Sequence, residues 1–254
     1  MKSLRNLYVK LFSRPALYRF NRIMYILSLK GMGITNYQGE LSGEKNLLKR
    51  LRKENLKVFF DVGANIGDYS KEVKEFFPNA KIYSFEPVKG TFETLKKRVD
   101  AHVYNFGLGK KEETLTIFYG DEKNSPHSSL FEEVEKKHKK KKILSEKVKI
   151  RKLDNFIKEN RIKKIDFLKI DVEGNEFSVL KGAKMALKEK RIRYIQFEFN
   201  EMNLVSKVSF RDFKNILPDY DFYRILPNSL LKLNSESNLD TEIFLFQNIL
   251  AVPK

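Results

Sequence analysis

The feature that most constrains this fold is a recurring pair: a short apolar run closed by an acid or amide, then a stretch with helical spacing. Residues 58–60 end at Asp61, residues 81–85 end at Glu86, residues 165–170 end at Asp171, and residues 193–199 end at Asn200 and Glu201. Runs this short and this apolar suit strands covered on both faces, as in parallel sheets. Helical spacing follows the first run through Phe77, where Pro78 and Asn79 end it, and recurs over 90–99, 176–189 and 210–217. With a further strand over 102–106 the chain opens β-α-β-α-β, which predicts right-handed crossovers. Two last strands, near 221–226 and 242–252, are expected to close the sheet as an antiparallel pair. The expectation is an α/β fold: a seven-stranded, mostly parallel sheet with helices on both faces.

Two regions depart from that pattern. Residues 114–119 and 147–153 alternate as strands do, and the polar stretch between them holds the run KKHKKKK at 136–142. This reads as a β-hairpin-like insertion over about 112–152 with a basic, solvated connection. Ahead of the sheet, residues 1–30 mix Lys and Arg with Leu, Ile, Phe and Tyr. Their apolar runs are broken every few residues, so neither a cleaved leader nor a membrane span is expected. One or two amphipathic helices are expected instead, with Pro15 at a start or break. Such helices either pack on the domain or a partner subunit, or rest on an anionic membrane surface. Gly31, Gly33, Gly39 and Gly43 mark a loop, after which 44–55 is helical with Leu47, Leu48 and Leu51 on one face. The expected division is a helical extension over 1–37 and one domain over 38–254.

Composition narrows the chemistry. There is no Cys, which excludes disulfides and thiolate metal sites, and only His102, His127 and His138 offer imidazoles. Acid–base work therefore falls mostly to carboxylates. The 50 Lys+Arg against 33 Asp+Glu leave a net charge of +17. Such a field attracts nucleic acid, anionic lipid or acidic glycans, or is simply a lysine-rich solvated surface.

The segment FDVGANIGDYS (60–70) is the most specific. A strand ends in Asp61, then Gly63, Ala64, Asn65 and Gly67 lead into a helix that begins with Asp68, Tyr69 and Ser70. Small residues let the backbone approach a ligand in the crevice at the carboxyl ends of the strands. The spacing is Gly-x-x-x-Gly, not the Gly-x-Gly-x-x-Gly of a pyrophosphate loop. With Asp61 beside it, it suits a cationic cofactor with an amino-acid end. Glu86, 25 residues on and followed by Pro87, stands where an acid accepts hydrogen bonds from both ribose hydroxyls of an adenosine.

With FDVGANIGDYS (60–70), YSFEP (83–87), NFGLG (105–109), KLDNF (152–156), FLKIDVEGNEFSVLKGA (167–183) and IQFEFNE (195–201) in this order, the sequence resembles the FkbM family of S-adenosylmethionine-dependent methyltransferases. The resemblance implies a class I, Rossmann-like methyltransferase fold. It also implies an O-methyltransferase acting on a hydroxyl of a sugar, glycan or natural product. Asp61, Gly63, Asn65 and Gly67 then become the cofactor loop and Glu86 the ribose acid, with Asn105 and Gly107 on the adenine side.

The segment KIDVEGNE (169–176) carries the best candidates for chemistry. A sugar hydroxyl is a poor nucleophile and benefits from a positioned base or a metal. Asp171 or Glu173 is a candidate base, or together they would hold one Mg2+; the alternative is an acid pair that caps a helix. His127 is a second candidate base if the insertion folds over the site. Glu198 and Glu201 are candidate substrate contacts. A cytoplasmic location, at most peripheral to the inner face of the membrane, follows from the readings above, and a homo-oligomer is compatible with them. Two other readings compete. One is a nucleic-acid methyltransferase, suggested by the charge, although no Asn-Pro-Pro-Tyr-type segment follows the fourth strand. The other is a non-catalytic cofactor-binding scaffold.

Overall fold

The computed structural model describes residues 2–37, 39–120, 128–129 and 143–254. Its strands are β1 (Val58–Val62), β2 (Lys81–Phe85), β3 (His102–Tyr104), β4 (Gly107–Leu108), β5 (Glu113–Gly120), β6 (Ser128–Ser129), β7 (Ile143–Arg151), β8 (Ile165–Ile170), β9 (Ile192–Phe199), β10 (Tyr220–Ile225), β11 (Leu230–Lys232) and β12 (Gln247–Pro253). The first five helices are α1 (Lys2–Phe12), α2 (Tyr18–Gly31), α3 (Glu44–Leu51), α4 (Asp68–Phe76) and α5 (Lys89–Arg98).

The main sheet runs β11-β10-β12-β9-β8-β1-β2-β3. From β3 to β9 it is parallel, and β12, β10 and β11 extend it antiparallel. It has eight strands rather than the expected seven, because Pro227-Asn228-Ser229 turns the chain back after β10 and lets β11 pair with it. Successive strands lie on opposite sides of β1, β2 on one and β8 on the other. The crevice of this open sheet therefore falls at the carboxyl ends of β1 and β8.

Both faces are covered. Phe60, Leu168, Ile195 and Phe197 face helices Leu153–Glu159 and Phe210–Ile216, where Phe197 stacks on Phe213 at 4.3 Å. Alternation puts Phe59, Phe167 and Tyr194 on the other face, against Leu47 and Leu48 of α3 and Val73 of α4. Strands 102–106 and 242–252 are shorter than expected, each for a local reason. β3 stops at Tyr104 because the chain leaves to form β4 on a second sheet. β12 starts only at Gln247 because Glu242 is used to accept the Phe210 and Arg211 N–H groups, which open helix Phe210–Ile216.

The insertion is broader than a hairpin. β5 and β7 pair antiparallel from Glu113↔Ile150 to Gly120↔Ile143, and β4 and β6 join them as β4-β7-β5-β6. Its own small core, Ile117, Val148 and Ile150, packs on Val88 of the main domain. KKHKKKK (136–142) and His127 lie outside the described residues.

The helix expected over 176–189 is two helices, Glu176–Lys181 and Lys184–Lys188. Gly182 lies between them, where a Cβ would overlap the Gly109 carbonyl oxygen. The second helix starts under Asp154, whose carboxylate accepts the Met185 and Ala186 N–H groups at 2.9 Å each. Gly182→Ala should lower unfolding free energy by about 1–3 kcal/mol through overpacking, and Asp154→Ala by about 1 kcal/mol through the lost cap. Urea unfolding of both variants checks this, and an Ala at 182 with wild-type stability would reject the close-approach explanation.

Candidate active site

β1 ends where its neighbours hold the chain on both sides. The Gly63 and Ala64 N–H groups both donate to Phe85 O at 3.0 Å, and Asp171 N donates to Val62 O at 2.9 Å. Gly63 has φ +82, and a Cβ there would overlap the Asp171 carbonyl oxygen. Glycine is required twice over, by the left-handed backbone and by the contact between the ends of β1 and β8. Gly67 N bonds back to Ala64 O at 2.8 Å, which closes the turn into α4.

Glu86 leaves the end of β2 buried, 3% exposed, beside this loop. One carboxylate oxygen accepts the Asn65 N–H at 3.0 Å and the other the Val88 N–H at 2.8 Å. A carboxylate offers about four lone-pair positions, so roughly two remain for a ligand. Burial pushes this carboxyl up to about 7, against the pull of its two N–H bonds.

Across β1, β8 and β9 one row of polar residues runs beneath the crevice. Register pairs Asp61 with Ser84 and Lys169, and Lys169 with Gln196. Lys169, 6% exposed, donates to Asp171 at 2.7 Å and lies 5.1 Å from the Tyr69 ring centroid. Burial alone would lower its pKa, but Asp171, Glu44 and Asp61 around it hold it well above the ordinary lysine value. Asp61 accepts Ser70 Oγ at 2.6 Å, and its other oxygen is buried without a hydrogen bond. Glu44, at the start of α3, accepts Gln196 Nε2 at 2.6 Å.

These elements surround a cavity of about 820 Å3. Gly63, Asn65, Glu86 and Pro87 lie on its wall, and so do Asp171, Glu173, Glu198 and Glu201. Burial, with Asp171 and Glu173 as like charges, pushes the Glu198 carboxyl well above the ordinary range. Leu108, Ile117 and Ile150 of the small sheet supply an apolar side, together with Val62. Tyr37, after α2, also reaches the wall, with its ring 5.0 Å from that of Phe246.

Of the expected site residues, Gly63, Asn65, Glu86, Pro87, Gly107, Asp171 and Glu173 lie on this wall. Asp61, Ala64, Gly67, Tyr69, Ser70 and Asn105 are not among the lining residues. Strand alternation turns Asp61 to the α4 face, where it meets Ser70 and Lys169 rather than the cavity. Gly67 faces Leu95 and Val99, and Asn105 donates to the Glu86 and Pro87 carbonyls at 3.0 and 2.9 Å, bracing the loop from behind. Sequence reasoning missed Lys169, Glu176, Glu44, Tyr37 and the small-sheet aliphatics. Only Lys169 carried a local signal, as a cation between Leu168 and Ile170 just before the strand-end acid.

The cavity fits S-adenosylmethionine by its shape and its acceptors: a glycine where a side chain would meet the neighbouring strand end, a buried acid with lone pairs to spare, and several further carboxylates on the wall. The Asp171 carboxylate is engaged by Lys169, and among the described residues no three His, Asp or Glu are arranged to hold a metal ion.

Glu173, at φ +49, sits in a turn held by Glu176, which accepts the Val172 and Gly174 N–H groups at 3.1 and 3.0 Å. Burial raises the Glu176 carboxyl from 4.5 to about 7. Between those values the folded chain keeps a proton that the unfolded chain releases. Its contribution to stability is therefore full below the lower value and is lost as pH rises through the upper one. Glu176→Gln, which keeps one acceptor oxygen and cannot ionise, should flatten that slope and stabilise the protein at alkaline pH by on the order of 2 kcal/mol. Thermal unfolding of both proteins across this range checks it.

Comparison with known proteins bears on the whole site. A family profile described as the methyltransferase FkbM domain matches residues 61–223, more than half of the chain. Methyltransferase 1 of Beauveria bassiana is 29% identical over 144 residues, 48% of this chain and 56% of that protein. The 2-O-methyltransferase NoeI of Sinorhizobium fredii is 23% identical over 78% of this chain and 86% of its own length. The hexuronic acid methyltransferase AglP of Haloferax volcanii is 25% identical over 80% of this chain and 73% of its own. The chain spans about half the length of the first curated relatives it matches, at 56% and 58%. The matched segment begins at Asp61 and takes in the Gly63 loop, Glu86, Asp171 and Glu198, and the chain belongs to the FkbM methyltransferase family.

Proposed function

We propose that the chain is an S-adenosylmethionine-dependent O-methyltransferase whose acceptor is a hydroxyl of a sugar, glycan or related natural product. The observation that carries this reading is Glu86: a buried carboxylate, aimed by two backbone N–H groups, beside a glycine floor and facing strand-end acids across one cavity. The names of two relatives, a 2-O-methyltransferase and a hexuronic acid methyltransferase, support a sugar acceptor.

The bound cofactor would supply an electrophilic methyl group on a sulfonium. Glu86 is the acceptor for the ribose hydroxyls, and the Val62, Leu108, Ile117 and Ile150 side is apolar enough for a base ring. The Asp171, Glu173 and Glu201 carboxylates on the cavity wall favour a cationic ligand by Coulomb attraction. Asp171, held in place by Lys169, would be the base that takes the proton from the acceptor hydroxyl. Glu198, whose carboxyl burial and its acidic neighbours push well above the ordinary range, lines the same cavity and is a contact for a second acceptor oxygen.

Calorimetric titration with S-adenosylmethionine and S-adenosylhomocysteine tests the cofactor. Glu86→Ala should weaken both by tenfold or more, about 1.4 kcal/mol. Because the Glu86 carboxyl titrates near 7 and the ionised form is the better acceptor, wild-type affinity should rise as pH passes upward through that value, and Glu86→Gln should show no such rise. No binding of either ligand to folded protein would remove the proposal. Asp171→Asn should leave cofactor affinity near wild type while transfer to glycan acceptors slows by roughly 100-fold or more.

A further inference from the structure

We propose that the helical pair α1–α2 docks on an anionic lipid bilayer. The inference is independent of the chemistry proposed above. Its first support is burial: none of residues 3–28 is buried, although the segment is rich in large apolar side chains. Leu4 is 72% exposed, Tyr18 65%, Tyr25 59% and Leu27 57%, with Leu7 and Ile23 above half. An apolar surface of this extent, unpartnered on two consecutive helices, is not left to water without cause.

The second support is charge. Residues 2–37 carry seven cations and no acid, the first acid being Glu40. Among the described residues Arg5, Lys10, Arg14, Arg19, Arg22 and Lys30 form no ion pair. Arg5, Arg19 and Arg22 are exposed on the same two helices as the apolar side chains, and Arg14 is exposed between those helices. Apolar, tyrosine-bearing and purely cationic surface together match an interface with acyl chains below and phosphates above. A second copy of this chain would bring like charges together across a two-fold interface. RNA would satisfy the cations and leave the apolar residues uncovered.

The third support is rigidity and place. Tyr8 donates to Asn21 at 2.7 Å, Asn21 donates to Phe12 O at 2.9 Å, and Phe12 stacks with Tyr8 and Phe20, so the two helices hold each other. Leu29 and Ile34 are buried, Thr35 N donates to Phe246 O at 2.8 Å, and buried Arg224 donates to Met32 O at 3.2 Å. The pair is thus tied to the domain beside Tyr37 and Phe246, which line the cavity. Docking would hold the cavity mouth close to the lipid surface. Among the described residues no helix is long and apolar enough to cross a membrane, so the contact is one of lying on the surface.

The test is co-sedimentation of the full chain with vesicles of equal parts phosphatidylglycerol and phosphatidylcholine, and with phosphatidylcholine alone. Wild type should partition onto the anionic vesicles, weakly onto the neutral ones, and less as salt rises. Arg5→Glu/Arg19→Glu/Arg22→Glu and, separately, Leu7→Glu/Ile23→Glu should each reduce partition by about tenfold or more. All five positions are exposed, so unfolding midpoints and S-adenosylmethionine binding should match wild type. No partition by folded protein, equal partition onto both vesicles, or retained partition in both variants would overturn the proposal. So would a salt-sensitive shift of RNA, or self-association abolished by Leu7→Glu/Ile23→Glu, if either occurs without vesicle binding.

Discussion

The buried ammonium of Lys169 allows three carboxylates to meet at the ends of β1 and β8. Asp61 and Asp171 leave adjacent strands, and Glu44 approaches from α3, so their mutual repulsion in a site with little water would be severe. One cation among them, bonded to Asp171 at 2.7 Å, offsets both that repulsion and its own desolvation. Removing either side of such a set leaves an uncompensated buried charge, which is why it behaves as a unit. Ser70 and Gln196 extend the arrangement to α4 and β9, so the crevice rests on a polar layer with four strands and two helices tied to it.

Above that layer the cavity has two characters with separate origins. Its polar wall comes from the ends of the parallel strands, where backbone geometry dictates the turn and the acids follow it. Its apolar side comes from the small sheet, whose β5–β7 pairing places Ile117 and Ile150 against Val88 and the loop after β2. The insertion is therefore part of the site as well as an appendage on the fold.

The charge distribution opposes the composition. A chain with a net charge of +17 lines its cavity with Glu44, Glu86, Asp171, Glu173, Glu198 and Glu201, while its cations lie outside. Counter-charge in the cavity favours a cationic ligand, and the exposed lysines and arginines are left to solvent and anionic surfaces. The cavity and the exposed surface thereby carry opposite fields.

The sequence by itself determined the parallel part of the sheet, the Gly63 turn and the positions of Glu86 and Asp171, because each depends on local rules: continuous apolar runs, a backbone that only glycine tolerates, and acids at strand ends. It also showed that residues 1–30 are amphipathic and basic. Only the tertiary structure decided which of these side chains reach the cavity. Asp61 points away from the cavity, since a one-residue step along a strand moves a side chain to the other face, and Asn105 braces the loop by donating to the Glu86 and Pro87 carbonyls. The break at Gly182, the burial of Lys169 and the approach of Tyr37 and Ile150 arise from contacts between segments far apart in the chain. Such contacts leave no periodicity in the sequence, because they depend on how whole elements pack rather than on any residue's neighbours.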